Sequence, residues 1–239
     1  MQNKYLFIVV FILFISTKAV SQEIIFGIKG GINSNNIGTL YHLGTASGGG
    51  NNVTPVEDTY YVGESGLGTQ FGLFFKLNFE KFFIKSELNF AKLKSSYPLA
   101  LKPSNWISNQ MEVPILIGFE VFKPVSLIIG PSFNSISEMS LEGTEAPIKY
   151  NSSSMSLHFG VLLDLRFIEL DVKYQYGLSA VKNQRVDIVR ASYGTNVAYL
   201  EPYHSNQISL SININLINLK SLKETQKLNS GWRDHRNLY

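Results

Sequence analysis

The sequence predicts an all-β fold, an eight-stranded antiparallel up-and-down transmembrane barrel with a side-chain-filled polar interior. Three observations carry this. Apolar and polar residues alternate with period two over about eight stretches, and side chains alternate faces along a strand. Each stretch runs for roughly ten residues, longer than the ~5–6 usual in soluble sheets and close to what a tilted strand needs to cross a bilayer. The connections alternate long and short, the rhythm of a barrel with short turns at one end and long loops at the other.

The first strand is Ile24 to Asn33, with Ile24, Phe26, Ile28 and Ile32 opposing Gly27, Lys29, Gly31 and Asn33. Ser34 to Gly66 is polar and glycine-rich and reads as a mobile loop unable to bury a core. The second strand, Leu67 to Asn78, sets Phe71, Leu73, Phe75 and Leu77 against Gln70, Gly72, Lys76 and Asn78. A turn at 79–81 leads to the third strand, Phe82 to Leu93, where Lys85, Glu87 and Asn89 share the polar parity. Lys94 to Asn109 reads as a loop. The hairpin Gln110 to Ser137, turning at Phe122-Lys123-Pro124, supplies strands four and five. In it Met111, Val113, Ile115, Ile117 and Phe119 oppose Gln110, Glu112, Pro114, Leu116, Gly118 and Glu120. Pro114 lies mid-strand, where its missing N–H breaks a ladder bond, and it predicts a bulge or local curvature there.

Glu138 to Ser153 reads as a loop. The sixth strand is Ser154 to Leu165 and the seventh Ile168 to Ser179, joined by Arg166-Phe167. Asp164, Glu169, Asp171 and Lys173 sit on their polar parity. Ala180 to Ser205 is a long loop. The eighth strand, Asn206 to Leu216, alternates Ile208, Leu210, Ile212 and Ile214 with Gln207, Ser209, Ser211 and Asn213. Closure follows if this strand pairs with the first. Phenylalanines 79, 82, 119, 122 and 167 gather at the short turns. Tyr60, Tyr61, Tyr97, Trp106, Tyr150, Tyr193, Tyr199 and Tyr203 lie in or beside the long connections. Two such belts are what interfacial girdles predict.

The termini differ in character. Lys4, the apolar run Tyr5 to Ile15 and the small residues Ala19-Val20-Ser21 read as a signal peptide over 1–21, cleaved near Ser21/Gln22. The barrel is then 22–217 and a basic, periplasmic tail 218–239. Charged residues are 16% of the 239, low for a soluble domain. The formal charge is +3, and removing Lys4 and Lys18 with the leader leaves it near zero. That gives no support for nucleic-acid binding. The chain has no cysteine, which excludes disulfides, thiol catalysis and a cysteine-borne lipid.

Orientation decides the role of the polar parity. A lysine facing acyl chains costs about 2–4 kcal/mol near the midplane. Lys29, Lys76, Lys85, Lys173, Glu87, Glu112, Glu120, Asp164, Glu169 and Asp171 are therefore expected inside, paired as a structural plug. Glu87 and Glu112 are expected to meet Lys85, Lys76 or Lys29. No catalytic, cofactor or metal residues emerge. His42, His158, His204 and His235 are scattered without zinc spacing, and His158 reads as a lumen filler. His204 and Ser205 are adjacent, so they face opposite ways rather than forming a hydrolase pair.

Four stretches resemble the PorT-like outer-membrane β-barrel family: GIKGGINSNNI, FIKSELNFAKLKS, MEVPILIGFEVFKPVSLIIGPSF and YQYGLSAV. The most specific are Glu112-Val113-Pro114 and Gly130-Pro131. The resemblance implies a small barrel shaped like OmpA and OmpX, with no assigned activity for most members. Such barrels often end on an aromatic final strand residue, whereas the last strand here ends at Leu216. The expectation is a non-enzymatic, monomeric protein of the bacterial outer membrane, partnered by outer-membrane lipid and acting through its outer loops, within an envelope assembly or alone. The alternatives are an outer-membrane enzyme acting on lipid or peptide, and a secreted lipocalin-like barrel with its apolar side chains inside.

Overall fold

A computed structural model describes residues 23–42, 58–195 and 197–219. The expected signal peptide and the tail from 220 onward lie outside these residues, as does 43–57 of the first loop. Eight long strands form the wall: β1 Glu23–Asn35, β2 Leu67–Asn78, β3 Phe82–Tyr97, β4 Ser104–Phe122, β5 Val125–Leu141, β6 Ser153–Asp164, β7 Ile168–Gly177 and β8 Gln207–Leu219. Each pairs antiparallel with its sequence neighbour, and β1 pairs with β8, so the ring is closed. Closure leaves none of these eight strands as a free edge.

The parities face as orientation demands. Ile115, Ile117, Leu127, Ile129, Ile208 and Ile212 are each more than half exposed on the outer wall. Lys29, Lys76, Lys85, Glu87, Glu112, Asp171 and Lys173 are buried inside. A lipocalin-like arrangement, apolar within, is thereby overturned. Inside, at the short-turn end, Phe83, Leu116, Ile128 and Leu162 form a small apolar layer. The phenylalanine belt holds there: Phe82, Phe122 and Phe167 are exposed, and Phe82 packs on Phe119 at 5.1 Å between ring centroids.

Several connections expected to be loops are not. β3, β4 and β5 run on past the wall, and β4 reaches 19 residues. At ~3.3 Å per residue that is far longer than a bilayer crossing requires. β8 continues to Leu219, past Leu216. The stretch 34–66, expected to bury nothing, contributes Ile37 and Leu40, each 1% exposed. Short strands at Thr39–His42, Thr59–Val62, Gln184–Asp187 and Val197–Leu200 join into one sheet across the loop end. That sheet, with the tops of β3–β5, encloses a second apolar core. Tyr97, Trp106 and Tyr193, expected in an interfacial girdle, are buried in it instead. The physical reason is that a loop burying apolar side chains against extended strand tops needs no lipid contact to hide them.

Pro114 makes no bulge. The β3–β4 frame is the same on both sides of it, and the irregularities of the β4–β5 ladder fall at Asn109/Gln110 and Glu120/Phe122. Gly118 has a clearer shape role. A Cβ there would lie 2.0 Å from the Phe83 ring, which covers the glycine from the adjacent strand. Gly118→Val should therefore lower stability by about 1–3 kcal/mol through overpacking. A shift of the refolding midpoint in urea would show it; a midpoint within error of the parent would contradict the packing.

Candidate functional site

The lumen is organised by two strands whose inward residues carry both signs of charge. β3 presents Lys85, Glu87 and Asn89, and β7 presents Glu169, Asp171 and Lys173. β1 adds Lys29 and β2 adds Lys76. Glu169 reaches across the barrel and bridges two lysines, Lys76 at 2.6 Å and Lys85 at 2.9 Å. These lysines face each other in the β2–β3 ladder, an unfavourable pairing of like charges without the carboxylate between them. Each ammonium also lies over an aromatic face: Lys76 over Phe83 and Lys85 over Phe74, both 4.4 Å from the centroid.

One layer nearer the loop end, Lys29 contacts Glu87 at 3.1 Å and Asp171 at 3.0 Å. Lys173 contacts Glu87 at 2.5 Å. Lys85 approaches Glu87 at 3.6 Å, which joins the two layers. Asn89 donates to Glu87 and Asn213 donates to Asp171, occupying remaining carboxylate lone pairs. Asp164 closes the set from the turn end, 3.2 Å from Lys76 and partly exposed. The lysines at 29, 76, 85 and 173 thus balance the carboxylates at 87, 164, 169 and 171.

Two expected members stand apart. Glu112 meets none of the lysines; its partner is Gln110, which donates to it at 2.6 Å. Glu120 is only partly buried, at the short-turn end, and joins no ion pair among the described residues. Glu87 does meet Lys29 and Lys85, and it also meets Lys173. The β6–β7 turn below the network is clamped by its own polar groups. Arg166 adopts φ 75°, and its N–H donates to Asp164 while its carbonyl accepts from Asn215.

Above the network lies a polar layer, with Glu112 opposite Asn134, that joins no ion pair among the described residues. Gln70 donates to Ser211, and Asn134 donates to Ser156. Both ring nitrogens of His158 and the Gln175 Oε1 are buried without a protein partner. His204 is used structurally: its Nδ1 lies 2.7 Å from the Gly177 carbonyl, and its ring stacks on Tyr176.

The cap over this end was not foreseen. Its inner face is built by Leu93, Tyr97, Trp106, Leu141, Ile188 and Leu200, and Tyr97 donates to the Ile37 carbonyl at 2.6 Å. The alternation in Arg185-Val186-Asp187-Ile188 and Val197-Ala198-Tyr199-Leu200 was a usable signal, but each cap strand is only 4 residues long. At the cap rim, Glu142 accepts from Lys102 at 2.8 Å, Asn105 at 2.7 Å and Tyr193 at 3.0 Å. The Lys102 ammonium first, then Asn105 and Tyr193, hold this carboxyl down at about 2.

No protein-family model matches the chain, and no curated protein matches it significantly. Among solved structures, the outer membrane protein OprG from Pseudomonas aeruginosa aligns over 82% of this chain and 97% of its own, at 13% identity and a TM-score of 0.43. Neisserial surface protein A, NspA, aligns over 82% and 99%, at 11% identity and a TM-score of 0.39.

Two expectations follow. Glu87→Gln leaves buried lysines uncompensated and should cost about 3–5 kcal/mol, whereas Glu112→Gln, outside the network, should cost under about 1. Urea unfolding of the refolded barrels compares them, and equal losses would contradict the separation. The depressed Glu142 carboxyl stabilises the cap above its ordinary range, near pH 4.5, and this is lost as pH falls toward about 2. Hydrogen exchange at the Glu145 and Val189 amides, which bond across to Asp187 and Gly143, should show protection falling over that window. Glu142→Gln should abolish the pH dependence.

Proposed function

We propose that this chain is an outer-membrane β-barrel that does not conduct and acts through its capped, outward-facing end as a structural or interaction protein of the envelope. The observation that carries this is the filled lumen. Lys29, Lys76, Lys85 and Lys173 and their carboxylates occupy the interior as a connected, buried ion-pair network. Charges so paired have no reason to exchange partners for a passing ion, because each separation exposes an unpaired charge in a poorly solvated space. The apolar outer wall supports the membrane placement. A belt of exposed Ile, Leu and Phe around a closed ring satisfies both demands of lipid, apolar contact and no unpaired backbone.

The Glu112-Val113-Pro114 and Gly130-Pro131 motifs support a place among PorT-like barrels. The structure offers a physical reason for the second motif. A Cβ at position 130 would lie 1.9 Å from the Ile115 carbonyl oxygen, so glycine permits a close approach of two backbones beside Pro131. In the proposed orientation the short turns and both chain ends face the periplasm, and the cap faces outward. A leader removed near Ser21 and a soluble periplasmic tail complete the reading. The barrel is taken to work as a monomer in outer-membrane lipid, with any envelope partner engaging the cap.

Reconstitution in planar bilayers tests the plug. The parent protein should show no large, steady conductance, and steady channel openings would sink the proposal. Cell fractionation tests the placement, since the mature chain should leave the envelope fraction only with detergent.

A further inference from the structure

We propose that the space between the cap and the lumenal network is a binding site for a small anionic amphiphile, a short-chain aliphatic carboxylate. This goes beyond the reading of a closed barrel. A cavity of about 270 Å³ lies there. It is slightly smaller than the ~300–1,000 Å³ typical of sites for drug-sized ligands, which limits the occupant to a small molecule. Its walls are Leu93, Trp106, Ile136, Met139 and Tyr203, so the body of the occupant must be apolar.

The two ends of the cavity differ in charge. The floor is Gln110, whose side-chain N–H groups serve Glu112 and Gln207. Behind it stands Glu112, buried and taking the Gln110 donor, so the floor offers an anionic head no free positive partner. The opposite side carries Lys149 and Lys182, both exposed and neither in an ion pair among the described residues. An anionic head therefore belongs at this mouth and the chain points inward. Below Gln110 the ion-pair network closes the barrel, so the cavity is a dead end that binds rather than passes its occupant. The mouth is also tied by a side-chain contact to the backbone. Gln184 donates to the Lys149 carbonyl and accepts from the Lys149 N–H, both at 2.9 Å, bridging the 142–152 and 178–206 connections.

Trp106 in the wall is a built-in reporter, because the sequence has only one other tryptophan, Trp232. The test uses the full mature chain with Trp232→Phe, in nanodiscs of zwitterionic lipid, titrated with octanoate and separately with octanol. Octanoate should change Trp106 emission saturably and bind more tightly than octanol. Lys149→Gln with Lys182→Gln should weaken octanoate about tenfold and leave octanol unchanged. Val181→Phe, which fills the cavity from its lining, should abolish the saturable signal while the β-sheet circular dichroism stays that of the parent. A signal that never saturates, or one that survives Val181→Phe in a folded barrel, would overturn the site. Equal binding of octanol would overturn its anionic specificity. The conductance experiment is independent: a conducting barrel would defeat the plug, while this titration reads only the cavity.

Discussion

A lysine held against acyl chains costs about 2–4 kcal/mol at mid-membrane, and an unpaired lysine in a dry interior costs several more. With the wall in lipid, as proposed, these two penalties together shape the molecule. The first sends every wall-borne lysine of the polar parity inward. The second requires that each find a carboxylate once there. The result is a lumen in which Glu169 bridges Lys76 and Lys85, while Glu87 gathers Lys29, Lys85 and Lys173. Apart from Lys85 and Glu87 on one strand, these contacts are not local. Lys29 draws its partners from β3 and β7, so the network ties together strands that are not neighbours in the ring.

Aromatic and apolar side chains complete what charge begins. Phe74 and Phe83 lie under the two lysines that face each other, offering a second attraction to ammonium groups already shared by Glu169. Leu116, Ile128 and Leu162 then close the short-turn end with Phe83. The interior is therefore stratified: apolar at the bottom, ion-paired through the middle, polar without ion pairs above, and apolar again under the cap. Such layering suits a barrel of about eight strands, whose interior is just wide enough for side chains to fill. The same layering separates the barrel's stability from whatever its outer end does.

The cap is the part most distant from expectation. Glycine-rich, tyrosine-rich connections read as solvated loops, yet Ile37, Leu40, Val186, Ile188 and Leu200 pack under one small sheet. The first and last long connections meet in it, since Thr39–His42 pairs with Val197–Leu200. That pairing follows from ring closure. Once β1 lies beside β8, the loops that leave their upper ends emerge side by side.

The sequence by itself determined the eight wall strands and their parities. A period of two is a local property, and each wall strand is long enough to display it. Lys85-Ser86-Glu87 and Glu169-Leu170-Asp171-Val172-Lys173 state their faces within a few residues. Only the tertiary structure decided which charges meet, because Lys29 lies 58 residues from Glu87 and 142 from Asp171. It also decided that Glu112 stands outside the network and that Pro114 leaves the register intact. The cap belonged to tertiary structure for a different reason. Its strands of 4 residues are too short for periodicity to register, and they become a sheet only where the closed ring brings them together.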